Sequence, residues 1–201
     1  MVTIIIIAIT VISSIMCFGN RYYFTELRFS PYEVWHRKKW WMLFSHALVH
    51  GGWGHLLFNM LTLYFFGRVV EEYMIYIFGH TGGILLYLLL YVSSIAVSSI
   101  WDLFKHKNDW DYSAVGASGA VSAVLFAAIY FEPGMEIFIY FIPIPIPGYI
   151  FAPLYLLYCW WMAKKGTDNI GHTAHFWGSV YGLVFPILSA WIGYFFHHLP
   201  F

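Results

Sequence analysis

The sequence predicts an all-α fold: one domain over residues 1–201, a polytopic membrane protein of six transmembrane helices with a structured first loop. Three observations carry that expectation. The 201 residues are 61% hydrophobic and only 10% charged, with a mean hydropathy of +0.68, whereas a soluble domain has roughly 25% charged residues. Six apolar segments, about 2–18, 55–73, 82–101, 117–131, 149–163 and 174–196, reach or approach the ~20 residues a helix needs to cross hydrocarbon. Between the first two lies a stretch, Gly19 to Gly54, that holds Trp35, Trp40, Trp41 and Trp53 together with Arg21, Arg28, Arg37, Lys38 and Lys39. That pairing favours headgroup depth, the ring at the interface and the cation reaching water.

The first segment starts directly on Val2 with no basic residue before it, unlike a secretory signal, and reads as a retained span. The fourth is short: from Ala117 to Phe131 a helix rises only ~22 Å against ~30 Å of hydrocarbon. A serine on its first turn, Ser118, would sit below the membrane surface, and the irregular backbone before it must line protein or a water-filled cavity. Pro143 to Pro147 carries a proline at every second position; it cannot be helical and reads as a stiff loop between spans four and five. Zero net charge argues against nucleic acid as a partner. Cys17 and Cys159, isolated in apolar surroundings, read as packing residues rather than a disulfide or metal site.

Strongly polar groups inside spans are costly and mark functional sites by default. Here Ser118 opens one span, His175 opens another, and His55 and Asn59, four apart, share a face of a third. Serine needs a base to take its proton, and His175 is the candidate, with His172 three residues earlier as the alternative. Gly178 and Gly182 share the His175 face. Gly119, Ala123 and Ala127 form a small-residue ridge beside Ser118, and two such faces permit close helix approach. His55, Asn59 and the Ser118 backbone N–H are candidate donors to an oxyanion. His46 and His50 repeat the four-residue spacing just upstream and read as supporting, structural residues. A third, acidic member is not expected, so the site reads as a Ser–His dyad. Gly67 and Glu71 read as helix-packing and capping residues, and His36, His80, His106, His197 and His198 as ordinary interfacial ones.

In the order and spacing of His46, His50, His55-x-x-x-Asn59, Gly116-x-Ser118-Gly119 and Ala174-His175-x-x-Gly178-x-x-x-Gly182, nearly the whole chain resembles the rhomboid intramembrane serine proteases, bacterial type. Asp168 to His172 and the six-span layout agree. The resemblance implies Ser118 as nucleophile, His175 as general base, and His55 and Asn59 at the oxyanion. It further implies transmembrane protein substrates entering by a lateral gate near the fifth span, no cofactor or metal, and a bacterial cytoplasmic membrane. One position departs: the family often has Trp-Arg where this chain has Trp41-Met42, which bears on loop structure and stability. The resemblance places the N-terminus in the cytoplasm and loops one, three and five outside. A count of basic residues, nine on those loops against Arg68 elsewhere, points the other way, although a folded first loop is not a simple topogenic tether. Two other classes fit less well. An inactive relative that binds membrane helices would be expected to lack the serine or histidine. A metal or haem carrier using His46, His50, His55, His172 and His175 would leave Ser118 unexplained, and no carboxylate or thiolate is expected among them.

Overall fold

Among the described residues, six apolar helical segments form where the hydropathy places them. The computed structural model describes residues 1–139, 144–166 and 168–197, the last six as backbone; Pro143, His198 and the His197 side chain lie outside the described residues. Helix α1 spans Val2–Phe18. The connection after it folds into α2 (Arg21–Leu27), α3 (Pro31–Arg37), α4 (Met42–Ser45) and a 3₁₀ turn, His46–Leu48. Asn20 caps α2 through its side chain, and Ser30 caps α3 with Pro31 following, both favoured helix starts. The second and third apolar segments appear as α5, Trp53–His106, folded back at Gly79, whose φ of 73° and ψ of 169° are non-helical. Only glycine adopts that backbone cheaply. The two arms then touch, since a Cβ on Gly83 would overlap the backbone of Met74 and Ile75. Helices α6 (Ser118–Phe131), α7 (Gly148–Lys165) and α8 (His172–His197) complete the chain, each within two residues of its expected bounds.

Two features differ from the sequence expectation. The fold is not purely helical: Pro145–Pro147 (β2) pairs antiparallel with Glu136–Phe138 (β1), Ile146 opposite Ile137. Alternating prolines leave Ile146 as the one residue of β2 with a ladder N–H, which suits a short edge strand. By length and composition, among the described residues only Trp53–His106 is long and apolar enough to cross a membrane; Val2–Phe18 and Ser118–Phe131 are apolar but shorter.

Helix α6 is the centre of the structure. Every residue from Gly119 to Ile129 is buried, packed by both α5 arms and α8. Around it the polarity is inverted. On α1 the buried residues are Thr3, Thr10, Ser14 and Cys17, while Ile4, Ile5, Ile9, Ile12 and Ile15 are exposed. Small and hydroxyl residues facing inward, with large aliphatics outward, is the packing that helices adopt in lipid. Glu71 on the first arm of α5 caps α1, accepting from the Val2 N–H at 2.7 Å, the Thr3 N–H at 3.0 Å and the Thr3 hydroxyl at 2.7 Å. Gly67 leaves room there for Thr3 and Tyr87. Glu71→Ala strands those donors and is expected to cost about 2–3 kcal/mol, read as a lowered thermal midpoint; an unchanged midpoint would mean the cap contributes nothing.

The first connection is a folded unit. Lys39 pairs with Glu26 and Glu33, both at 3.3 Å, and Arg37 with Glu33 at 3.2 Å. Lys38 lies over Trp35 and Trp40, Lys39 over Trp41, and Lys107 over Trp35. Met42, at the position where arginine was expected, is buried with Phe29, Val34 and Leu103. An apolar cluster takes the place of a charged anchor.

Candidate functional site

The segment leading into Ser118 is held by the first connection. Phe29 and Ala114 exchange backbone hydrogen bonds of 2.9 and 3.0 Å, and the Gly116 N–H donates to the His46 carbonyl at 2.9 Å. Gly116 has φ +113°, and a Cβ there would run into the His55 ring, so both backbone and space require glycine. The Ala117 N–H donates to His50 Nε2 at 3.4 Å. His50 Nδ1 meets the Ser14 hydroxyl at 2.9 Å, and that hydroxyl donates to the Leu48 carbonyl at 3.0 Å. The chain of bonds fixes His50 as the neutral Nδ1–H tautomer. His46 is held likewise, Nδ1 to the Met42 carbonyl at 2.9 Å and Nε2 to the Ser99 hydroxyl at 3.3 Å. Both upstream histidines therefore position the backbone before Ser118.

Burial pushes His46 down to about 4, and burial followed by the neighbouring His55 pushes His50 down to about 3, from an ordinary 6.5. Because both folded values are depressed, the folded protein binds fewer protons than the unfolded chain below pH 6.5. Stability is complete above that value and falls as pH drops toward 4 and then 3, with about 3 kcal/mol from His46 alone. Thermal midpoints in detergent should be level from pH 8 to 7 and decline steadily below 6; a level profile to pH 4.5 would contradict this account of the two histidines.

Helices α6 and α8 meet through the expected small-residue faces. A Cβ on Gly178 would overlap the Gly119 carbonyl, and one on Gly182 the Ala123 carbonyl. This backbone contact brings His175, one turn before Gly178, beside the start of α6. Ser118 and His175 line one cavity of about 1330 Å³, together with His55, Asn59, Gly116 and Gly119. It extends between the first arm of α5, at Phe58, Thr62 and Phe66, and α7, at Phe151, Leu154 and Tyr155. His55 packs edge-on to His50 with ring centroids 4.9 Å apart, and its Nδ1 faces the Gly51 N–H at 3.5 Å. The Asn59 amide donates to the His55 carbonyl at 2.8 Å, which fixes its rotamer and leaves its second N–H. His172 is placed differently: its Nε2 lies 3.1 Å from both Asp168 carboxylate oxygens, and it borders a smaller pocket of about 120 Å³. The His172 contact holds the Asp168 carboxyl below the usual carboxylate range.

The structure corrects one expectation and adds partners the sequence analysis missed. Cys159, read as an isolated packing residue, lies with His172 and His175, one potential ligand atom from each within 4.8 Å of the others. A thiol thus does cluster with the histidines, because α7 packs on α8, and so does a carboxylate, since Asp168 lies 3.1 Å from His172. Ser14, Ser98 and Ser99 were also missed: Ser98 packs against Gly119, and the other two hold His50 and His46. The one signal in the sequence was hydroxyls on the buried faces of apolar runs.

Comparison with known proteins identifies the chain's relatives. The family model described as "Rhomboid domain" matches residues 37–192. A protein of Arabidopsis thaliana, "RHOMBOID-like protein 12, mitochondrial", is 27% identical over 68% of this chain and 43% of its own length. "Putative rhomboid protease YdcA" of Bacillus subtilis (strain 168) is 32% identical over 41% of this chain and 37% of its own. "RHOMBOID-like protein 4", also of Arabidopsis thaliana, is 41% identical over 42% of this chain and 19% of its own. The matches thus cover less than half the length of each relative. Plant relatives, one named mitochondrial, stand beside the bacterial one, so the comparisons do not single out a bacterial membrane.

Proposed function

The chain belongs to the rhomboid family, and from that premise we propose that it is an intramembrane serine endopeptidase working through a Ser118–His175 dyad. The observation that carries the proposal is the shared cavity: Ser118 and His175 line it with His55 and Asn59, brought there by helices in backbone contact. His175 takes the Ser118 proton as the hydroxyl oxygen attacks the carbonyl carbon, then returns it to the leaving amine. The developing oxyanion is held by His55, the second Asn59 N–H and the Ser118 N–H. The last is one of the unpaired donors at the start of α6, where negative charge is favoured. Water drawn through the same cavity then hydrolyses the acyl-enzyme.

The inverted polarity of α1 and the apolar outer faces of α5 and α7 support a lipid surrounding, with six helices forming the bundle. The cavity's extension between α5 and α7 supports lateral access for a substrate helix. Of α7 only Gly148, Ala152 and Cys159 are buried, so this helix has few buried contacts to lose on yielding. A helical peptide bond is not open to attack. Single-span substrates with small or helix-breaking residues near the membrane surface should therefore be cleaved, and uninterrupted leucine helices should not. Reconstitution of the protein in liposomes with both model substrates tests this: equal cleavage of the two, or of neither, would contradict the reading.

A further inference from the structure

We propose that Cys159, His172 and His175 form a binding site for a soft divalent cation of the zinc class, and that its occupation switches the protein off. One ring nitrogen from each histidine and the Cys159 sulfur lie within 4.8 Å of one another. A tetrahedral zinc ion holds such atoms roughly 3.3–3.6 Å apart, so about 1 Å of side-chain closure completes three ligands and leaves one position for water. Mixed thiolate and imidazole donors select zinc, cadmium and cobalt over magnesium or calcium.

The state of His172 is the independent pointer. It is only 4% exposed, and its buried Nδ1 has no hydrogen-bond partner among the described residues, whereas its Nε2 donates to Asp168 at 3.1 Å. Orphaned buried polar atoms are uncommon and call for an explanation. A carboxylate behind one ring nitrogen, with the lone pair free on the other, is the arrangement that orients a metal-ligating histidine. The Asp168 carboxylate and His172 also border the small pocket of about 120 Å³, which gives a cation a polar approach. On coordination the Cys159 thiol releases its proton to water, and the cation's charge compensates the buried thiolate.

The inhibitory consequence rests on the proposed role of His175; the binding does not. An imidazole with a metal on one nitrogen carries its proton on the other, so no lone pair remains to accept the proton of Ser118. Occupation of the site and proton transfer from Ser118 exclude each other.

The test uses the full chain in detergent, titrated with Co²⁺ and then Zn²⁺. Thiolate coordination gives a near-ultraviolet sulfur-to-cobalt band, which Zn²⁺ should abolish by displacement. The band should be lost in Cys159→Ser and Cys159→Ala, weakened at least tenfold in apparent affinity in His172→Asn, and retained in Cys17→Ser, with thermal melts confirming that each variant is folded. Zn²⁺ should also suppress fluorophosphonate labelling of the wild type at least tenfold, but not labelling of Cys159→Ser. No band in the wild type, or a band unchanged in both Cys159 variants, overturns the site. A Cys159-dependent band with labelling insensitive to Zn²⁺ overturns the switch. If the metal-free wild type is never labelled, the serine-protease reading fails, and the cobalt spectrum still decides whether the site exists.

Discussion

Replacing Ser118 with alanine is expected to lower cleavage of a transmembrane substrate by about 10⁴-fold or more, as is replacing His175. Removal of either member of a nucleophile–base unit costs about as much as removing both, so the double variant should be no slower than the single ones. The structure gives no reason for either change to unfold the protein. Ser118 is the first residue of α6 and only partly buried, and the α6–α8 contact is made by Gly178 and Gly182 one and two turns beyond His175. Thermal midpoints of both variants should stay within a few degrees of wild type. Substantial cleavage by either purified variant would remove the dyad from the account. A collapse in midpoint would instead assign these residues to the fold.

The second large effect falls on residues that take no part in chemistry. A methyl group at Gly178 would occupy the position of the Gly119 carbonyl, and one at Gly182 that of the Ala123 carbonyl. Neither obstacle is a flexible side chain, so relief requires α8 to move away from α6. Overpacking typically costs 1–3 kcal/mol, and with backbone on both sides Gly178→Ala is expected at about 3 kcal/mol or more. The same displacement carries His175 away from Ser118, so activity should fall even in the fraction that remains folded. Gly134→Ala is the control, since a Cβ there meets nothing within 4 Å among the described residues, and it should leave midpoint and rate unchanged. A neutral Gly178→Ala would mean that the helices are not in backbone contact.

Much of this arrangement is legible in the amino-acid sequence because it follows from local periodicity. The i,i+4 spacing places His55 and Asn59 on one face, and the small residues after His175 and Ser118 identify the surfaces that meet. The short fourth segment anticipates the central, buried α6. The remainder depends on contacts between distant segments. The inward stripe of Thr3, Thr10 and Ser14 looks like scattered polarity until Glu71 and His50 are seen to meet it. Met42 registers as a missing arginine until Phe29, Val34 and Leu103 close around it. Cys159 is 13 and 16 residues from His172 and His175, and only the packing of α7 on α8 joins them. The pairing of Pro145–Pro147 with Glu136–Phe138 was likewise hidden, since two prolines in three residues argue against a strand unless it lies at an edge.

The most direct test of the central claim is to treat the purified protein in detergent with a fluorophosphonate and locate the adduct by peptide mass spectrometry. The account predicts a single phosphonylated residue, Ser118, in the wild type and no adduct in His175→Ala, because an unassisted serine is too weak a nucleophile to react. An adduct at another serine, or undiminished labelling of Ser118 without His175, would contradict it.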